Sequence, residues 1–287
     1  MSIPLVPLLL VVACSLGWAG FDLLRKLLVG KVQPVALVFL LTVGSAPLFA
    51  AWAVVDGAFR PGPGYWLPAL GSVALNIVAN LLFLQGMRIA PLSVTVPLLS
   101  LTPAFATLLA IPLLGERPSI RGSAGILMVI AGAIWLHWQP RDASSGPGTL
   151  KGGLMVAMTA LFWSMTIPLD KMAVERAPAP FHGVVLTAGV AAGVLGVLLA
   201  QGRLEDVGQA RAVPGLLVLA LVVSSAALGL QLLALPKVYV GTVETLKRGI
   251  GNVMALLSGA LFFGETVTPR RVLAVILMAV GVGLILS

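Results

Sequence analysis

The sequence predicts an all-α integral membrane protein with ten transmembrane helices, arranged as two inverted five-helix repeats. Composition is the first reason: 59% of the 287 residues are hydrophobic and only 10% are charged, whereas a soluble domain carries about 25% charged residues. The mean hydropathy of +1.07 agrees with this class. Apolar runs long enough to cross a bilayer recur along the chain, and the two halves of the chain resemble each other in sequence.

The apolar runs predict ten spans, each close to the roughly 20 residues that one crossing requires. Turn and charge signals such as "DGAFRPGPG" and "QGRLEDVGQARAVP" separate the runs. Every predicted loop is short, so any function must reside within the membrane. We interpret the first run as a span rather than a cleaved signal peptide, because no basic segment precedes it. The predicted spans are 3–24, 33–55, 66–88, 91–114, 120–138, 150–170, 181–201, 213–235, 241–263 and 270–287.

An internal repeat divides the chain into a first five-helix unit (1–140), a linker (141–149) and a second five-helix unit (150–287). The stretch "LGWAGFDLLRKLL" aligns with "LFWSMTIPLDKMA", and residues 87–122 align without gaps with residues 236–271. Because each half has an odd number of spans, the second half enters the membrane from the opposite side. Inverted repeats of this kind are typical of secondary transporters, whose substrate site lies near the midplane between the halves.

The ninth predicted span contains the charged stretch "ETLKR". Glu244, Lys247, Arg248 and Asn252 follow one another at i, i+3, i+4 and i+8, which places them on one helical face. A charge at the centre of a span costs about 2.5–3.5 kcal/mol on insertion scales, so such residues usually face the interior and are functional. One interpretation is a phosphate or carboxylate site formed by the adjacent lysine and arginine. The alternative is snorkelling, with a Glu244–Arg248 pair that neutralises one charge.

The aligned positions of the first half carry no charge. They are Thr95, Leu98, Leu99 and Pro103, with Ser93, Ser100 and Thr102 as weak hydrogen-bond donors nearby. The sequence therefore predicts a cavity in which one lobe binds charge and the other contacts an apolar group. An amphipathic anion or a small phosphorylated metabolite would fit such a cavity.

Two pairs of residues are further candidates for contact with a substrate. Asn76 and Asn80 share a face of the third span, where buried amides serve either as contacts between helices or as ligands for a substrate. Trp18 and Trp163 occupy matched positions in spans one and six, too deep for interfacial anchors. We interpret the two tryptophans as cavity walls.

Other polar residues near the span ends have alternative interpretations. Asp22 is a second candidate for proton coupling beside Glu244, although a salt bridge to Arg25 or Lys26 is the favoured interpretation. Tyr239 either binds substrate or marks the interface. We expect Asp170 and Lys171 at the membrane interface, with Lys171 alternatively facing the cavity. Two glutamates follow glycines as caps or gates, and two histidines appear isolated: Glu116, Glu265, His137 and His182.

Several functional classes are excluded by composition. The net charge is +8, but the basic residues are scattered, so we predict no nucleic-acid partner and interpret the bias as anchoring at anionic lipid headgroups. With one cysteine (Cys14) and two separated histidines, the chain has no predicted metal site, no cofactor and no catalytic residues. We therefore expect a protein that is not an enzyme; a membrane enzyme or its accessory subunit is the least favoured alternative.

The pattern "PLSVTVPLLSLTPAFATLLAIPLLGERPS", with its echo "LLSGALFFGETVTPRR", resembles the EamA-type branch of the drug/metabolite transporter superfamily. The resemblance covers the whole chain, including a Gly-Glu at the ends of spans four and nine. It implies a central cavity and alternating access, without naming a cargo. The Lys247–Arg248 pair is similar to the pair that holds phosphate on the ninth span of sugar-phosphate translocators, although the flanking sequence departs from theirs.

Taken together, these features predict a secondary active transporter of a small anionic, phosphate-bearing metabolite or lipid precursor. Export of amino acids or drug-like amphiphiles, and an uncoupled lipid flippase or scramblase, are the alternatives. We expect a multi-pass protein of the cytoplasmic (inner) membrane whose partners are the substrate and membrane lipids. The orientation of the termini and the oligomeric state, a monomer included, are left open.

Overall fold

The structure is a computed structural model that describes residues 4–57, 59–89, 98–137, 147–263 and 268–286. These residues form α-helices and short 3-10 segments, with no strand among them. The helices of the first half are α1 (Leu5–Val29), α2 (Pro34–Val55), α3 (Trp66–Ile89), α4 (Thr102–Leu114) and α5 (Ile120–His137). Those of the second half are α6 (Pro147–Val174), α7 (Ala179–Ala200), α8 (Pro214–Ala234), α9 (Val240–Phe263) and α10 (Pro269–Leu286). The 3-10 segments are Leu204–Ala212 and Leu235–Lys237.

Six of the described helices are long and apolar enough to cross a membrane, and they lie in α1, α2, α3, α6, α7 and α8. Shorter apolar helices lie at Thr102–Leu114 and Ile120–Trp135. The predicted span 91–114 begins within residues 90–97, which lie outside the described residues. The predicted all-helical, multi-span architecture is thus confirmed for the described residues. The number of spans, ten, stays a prediction.

Helix α6 is longer than the predicted span 150–170, and this difference matters for function. The sequence placed its end at the charged pair Asp170–Lys171, yet the helix continues to Val174. Both side chains are buried, with exposed fractions of 2% and 8%. Asp170 contacts α3 and α7, and Lys171 contacts Glu116 and Val238, so both side chains face the protein interior. Their expected depth at the membrane interface stays a prediction.

Packing between the two halves follows the internal repeat. Helix α3 packs along α6 and α1 packs along α8, while α1 contacts α9 and α6 contacts α4. Further major contacts join α2 to α7, α5 to α10 and α4 to α9. When each helix is replaced by its equivalent in the other half, the α3–α6 contact becomes the α8–α1 contact, and α1–α9 becomes α6–α4. The α2–α7, α5–α10 and α4–α9 contacts each join two equivalent helices. The core is therefore formed mainly between the halves rather than within either half.

The α5–α10 crossing shows the same symmetry at the level of single residues. A Cβ atom added at Gly125 would lie 2.5 Å from the carbonyl oxygen of Gly281, and one added at Gly132 would lie 2.9 Å from that of Ala274. Extending the repeat alignment pairs Gly125 with Ala274 and Gly132 with Gly281. Small residues allow membrane helices to approach closely. The two contacts therefore hold α5 and α10 close together at two equivalent points of the crossing.

Candidate functional site

Three helices converge on the ammonium group of Lys247. The Nζ atom donates a hydrogen bond to Oε1 of Gln231 on α8 over 3.3 Å and lies 5.8 Å from the centre of the Trp18 ring on α1. The indole N–H of Trp18 donates to the same Gln231 oxygen over 2.9 Å. The amide oxygen therefore accepts two donors and holds the lysine against the indole, where a cation is attracted by the aromatic face.

Lys247 also forms an ion pair with Glu244, one turn earlier on α9. The contact is ionic rather than an aligned hydrogen bond. Glu244 is 1% exposed, and a buried carboxylate requires a compensating charge. The pairing anticipated from the sequence was Glu244 with Arg248. Both i+3 and i+4 neighbours can reach the carboxylate, and the contacts with Gln231 and Trp18 keep Lys247 on the inner side.

Of the two cations in this stretch, Arg248 has a hydrogen-bond donor that is not used by the described residues. Its Nε atom is buried and has no hydrogen-bond partner among the described residues. A buried donor without an acceptor costs about 1–3 kcal/mol, which an incoming anion would recover. Asn252 has a different neighbour, because its side-chain amide lies 3.6 Å from Sδ of Met278 on α10. Two side chains of the sequence pattern thus contact different helices: Lys247 contacts α1 and α8, and Asn252 contacts α10.

The site that corresponds to this charged site when the two halves exchange roles is apolar. Trp163, the counterpart of Trp18, packs against Phe83 with ring centres 5.2 Å apart. Leu98, which the alignment pairs with Lys247, packs on the same buried cluster as Leu99. The interior thus has a charged lobe beside Trp18 and an apolar lobe beside Trp163.

The other candidate residues of the sequence lie apart from Lys247. Asn76 and Asn80 each donate from Nδ2 to a carbonyl oxygen one turn earlier on α3, at 3.1 and 2.8 Å. Asp22 forms a salt bridge of 2.9 Å with Arg25, and its side chain is 55% exposed. Thr95 lies outside the described residues.

A second charged site joins the two halves, and the sequence did not reveal its partners. Lys171 donates to Oε1 of Glu116 at 2.7 Å and to the carbonyl oxygen of Val238 at 2.9 Å. Oε2 of Glu116 accepts the backbone N–H of Val240 at 2.7 Å. We call this arrangement of Lys171, Glu116 and the backbone at residues 238–240 the Lys171–Glu116 clamp. It ties the ends of α4 and α6 to the start of α9.

Local structure explains how Glu116 reaches this position. Helix α4 ends at Leu114 and is followed by Gly115, whose φ of 68° is a left-handed conformation that favours glycine. The turn directs the next residue inward, where its carboxylate satisfies a free N–H at the start of α9, the positive end of the helix dipole. Glu116 therefore serves as a cap, one of the roles expected of it. A cleft of about 360 Å³ beside the clamp is lined by Glu116, Lys171 and the half-exposed Tyr239, among others.

A third polar cluster lies beside the clamp on the other side of α6. Asp170 accepts a hydrogen bond from the Ser72 hydroxyl on α3 and lies 3.1 Å from Nε2 of His182 on α7. Nδ1 of His182 is 3.0 Å from the Tyr65 hydroxyl. Burial, together with the charge of Asp170, raises the pKa of the Tyr65 phenol, which therefore stays protonated. His182, isolated in the sequence, is thus part of a buried network.

Comparison with known proteins places the chain in a family. The profile of the EamA-like transporter family matches residues 5–138 and 150–287. A guanidinium exporter of Salmonella typhimurium (strain LT2) is 38% identical over 98 residues, which cover 33% of this chain and 90% of that protein. The guanidinium exporter of Escherichia coli (strain K12) is 37% identical over 100 residues, which cover 34% and 92%.

A probable 4-amino-4-deoxy-L-arabinose-phosphoundecaprenol flippase subunit ArnF of Pseudomonas fluorescens (strain Pf0-1) is 33% identical over 121 residues, covering 38% of this chain and 88% of that protein. A solved crystal structure superposes with a TM-score of 0.79 at 18% identity, covering 97% of this chain and 96% of the other. That likeness shows a shared fold. Because the family profile matches both halves, the resemblance inferred from the sequence is confirmed: the chain is an integral multi-pass membrane protein that belongs to the EamA-like transporter family.

Proposed function

We propose that the protein is a secondary active transporter of the cytoplasmic membrane that works by alternating access and has no catalytic role. In this proposal ten spans form two inverted five-helix repeats, and the substrate binds between them beside Lys247. Family membership supports transport as the activity. The packing of each half against its counterpart supports two nearly equivalent states, one open to each side of the membrane.

The proposed cargo is a small anion bearing a phosphate group, either a metabolite or a lipid precursor. The observation that carries this choice is the buried Nε of Arg248, which has no hydrogen-bond partner among the described residues. Arginine donors suit phosphate oxygens, and a neighbouring lysine adds a point charge. The apolar lobe around Trp163 and Phe83 would receive the carbon skeleton or the lipid chain of the same cargo.

Glu244 provides a physical route for coupling this cargo to protons. With Glu244 ionised, the two cations and one carboxylate of the site carry a net charge of +1; with Glu244 protonated, the net charge is +2. An anion therefore binds more tightly to the protonated site. This sign predicts co-transport of a proton with the anion. Asp22 is the less favoured coupling residue, because its exposed carboxylate is already paired with Arg25.

A second candidate function is export of a cationic or amphiphilic compound. The relatives named guanidinium exporters act on a cation according to their names, whereas the relative named as a flippase subunit acts on a lipid-linked sugar phosphate. Glu244 is the observation that favours a cation here, because its carboxylate is 1% exposed and lies beside the site. A cation would compete with Lys247 for that carboxylate.

Ligand-dependent thermal stability of the purified protein distinguishes these functions. We would compare inorganic phosphate, a hexose phosphate and a polyprenyl phosphate with glucose, a polyprenol and guanidinium. Stabilisation by the phosphorylated probes alone, lost in Lys247→Ala and Arg248→Ala, is the expected result. Asn252→Ala is a matched control on the same helix, because its amide faces Met278. Equal stabilisation by phosphorylated and unphosphorylated probes would refute the proposed cargo, and absence of counterflow in liposomes with every probe would refute transport.

A further inference from the structure

The Asp170–His182 pair is buried and hydrogen-bonded on both sides. Asp170 is 2% exposed and His182 is 0% exposed. The carboxylate accepts from the Ser72 hydroxyl, and the imidazole lies between that carboxylate and the Tyr65 hydroxyl. Three separate segments, namely the residues before and within α3, the end of α6 and the start of α7, thus supply the four side chains. Such convergence fixes the positions of the two titratable groups relative to each other.

Charge balance indicates that the pair holds a proton while it is buried. A neutral imidazole could donate from Nε2 to Asp170 and accept at Nδ1 from Tyr65, which satisfies every hydrogen bond but leaves an uncompensated carboxylate. A buried unpaired charge costs several kcal/mol. One additional proton, on the imidazole or on the carboxylate, makes the pair neutral. Tyr65 and Asp170 are the titratable groups in contact with His182 among the described residues, and α2 presents the Phe49 ring to the adjacent Gly183.

The pair lies next to the Lys171–Glu116 clamp along the chain. Asp170 and Lys171 are consecutive residues near the end of α6, so their side chains point about 100° apart around the helix. One contacts α3 and α7, and the other contacts the end of α4 and the start of α9. Any shift of this end of α6 therefore alters both sites at once.

The repeat shows that the pair is not required by the fold. The alignment places Arg25 opposite Asp170, and the matched stretches "LTVG" (41–44) and "LTAG" (186–189) place Leu37 opposite His182. The same helix positions in the first half thus form no acid–histidine pair. The second half thus carries a buried acid–histidine pair that the first half lacks. Ionisable residues buried within a membrane are functional candidates by default.

We propose that the Asp170–His182 pair is a proton-binding site whose bound proton holds the Lys171–Glu116 clamp closed, and whose deprotonation opens it. The proposal rests on the transport function proposed above and adds a second proton site to the cycle. The direction follows from charge. In the closed state the proton-bound pair is neutral, whereas loss of the proton leaves a buried negative charge that the entry of water would stabilise. Rising pH therefore favours opening at this face.

Proton binding can be observed directly, since the chain has only two histidines. In protein labelled with nitrogen-15 at histidine, the His137→Gln variant leaves the ring signals of His182 alone. We expect these signals to change from the proton-bound to the proton-free form between pH 5 and 9, and Asp170→Asn to move the transition. A His182 ring that stays in one form over this range, in both proteins, would overturn the assignment of a proton site.

Opening of the clamp can be measured without knowing the cargo. Thr242 is 8% exposed and lines a small cavity beside Glu116, whereas Tyr239 is 47% exposed at the cleft. In a Cys14→Ser background, the rate of maleimide modification of Thr242→Cys is divided by that of Tyr239→Cys. The ratio removes the part of the pH effect that both thiols share, and the same ratio in His182→Gln serves as the reference for the remainder. Release of one proton changes this ratio by at most about tenfold per pH unit. We expect an increase of about tenfold from pH 6 to pH 8.

The variants of the pair decide the outcome. His182→Gln should reduce the pH response of the ratio to less than about twofold, and Tyr65→Phe, which keeps the aromatic ring, should reduce it as well. His137→Gln is the control that should keep the full response. A pH response that survives in both His182→Gln and Tyr65→Phe would refute the inference. Because the labelling needs no substrate, its result is independent of the counterflow test of transport.

Discussion

The Lys171–Glu116 clamp allows a quantitative prediction about stability. Replacing Lys171 with methionine keeps most of the side-chain volume and removes the ammonium group. Glu116 would then keep the N–H of Val240 as a hydrogen-bond donor but would lose its charged partner. Both side chains are at most 10% exposed, so water provides little screening in the closed state.

The expected cost is about 3–5 kcal/mol, the usual effect of breaking a buried ion pair by removing one partner. Glu116→Gln should cost less, because the amide oxygen can still accept from Val240 while the lost carboxylate leaves Lys171 with the Val238 carbonyl. The double variant Lys171→Met with Glu116→Gln removes both charges. It should be more stable than the sum of the single effects by about 1–3 kcal/mol, the coupling expected for residues in direct contact.

The single cysteine of the chain provides the assay. Cys14 is fully buried, so a thiol-reactive fluorescent dye reports unfolding of the detergent-solubilised protein as the temperature rises. Variants at Lys171 and Glu116 leave Cys14 in place, which permits a full double-mutant cycle. Effects that add without coupling would refute the clamp, because two side chains in contact cannot be independent.

Three further predictions follow from the site and from the helix crossing. Gln231→Leu leaves the part-buried indole N–H of Trp18 without its acceptor, so thermal unfolding should show a loss of about 0.5–1.5 kcal/mol. A variant as stable as the wild type would contradict this hydrogen bond. Glu244→Gln removes a charge that opposes anion binding, and one charge about 8 Å away at an effective dielectric of about 20 changes affinity roughly 30-fold. Phosphate probes should therefore bind that variant more tightly, without the weakening at higher pH expected of the wild type, and unchanged affinity would exclude Glu244 from the site. Gly132→Val forces a Cβ within 3 Å of α10 and should lower the free energy of unfolding by about 1–3 kcal/mol. The control is Gly283→Val, whose added Cβ has no neighbour within 4 Å and which should change stability by less than about 0.5 kcal/mol. Equal effects of the two variants would contradict the helix crossing.

Much of the fold was accessible from the sequence, because membrane insertion imposes a simple rule. An apolar helix must satisfy its backbone internally and must be about 20 residues long, so spans can be recognised from local composition. The all-helical class, the repeat and the family were therefore predictable. Helix ends were less so. Helix α6 continues beyond Asp170 because buried partners on α3, on α7 and just after α4 stabilise charges that local sequence would place in water.

The candidate site was only partly predictable. Helical spacing placed Glu244, Lys247 and Arg248 close together, and the alignment showed that the first half has apolar residues there. The pairing of Lys247 with Gln231 and Trp18 could not be foreseen, because the three residues lie on three different helices and Trp18 is far from the other two in sequence.

The sequence by itself determined that this protein is a helical membrane protein of two related halves and that one half carries charge where the other does not. These properties depend on hydropathy and on periodicity along a single helix, which local sequence contains. The tertiary structure alone decided which polar side chains become partners: Glu116 with Lys171 and His182 with Asp170. Such partners are selected by the packing of one half against the other, where the high cost of an unpaired charge in a low-dielectric interior makes their arrangement specific.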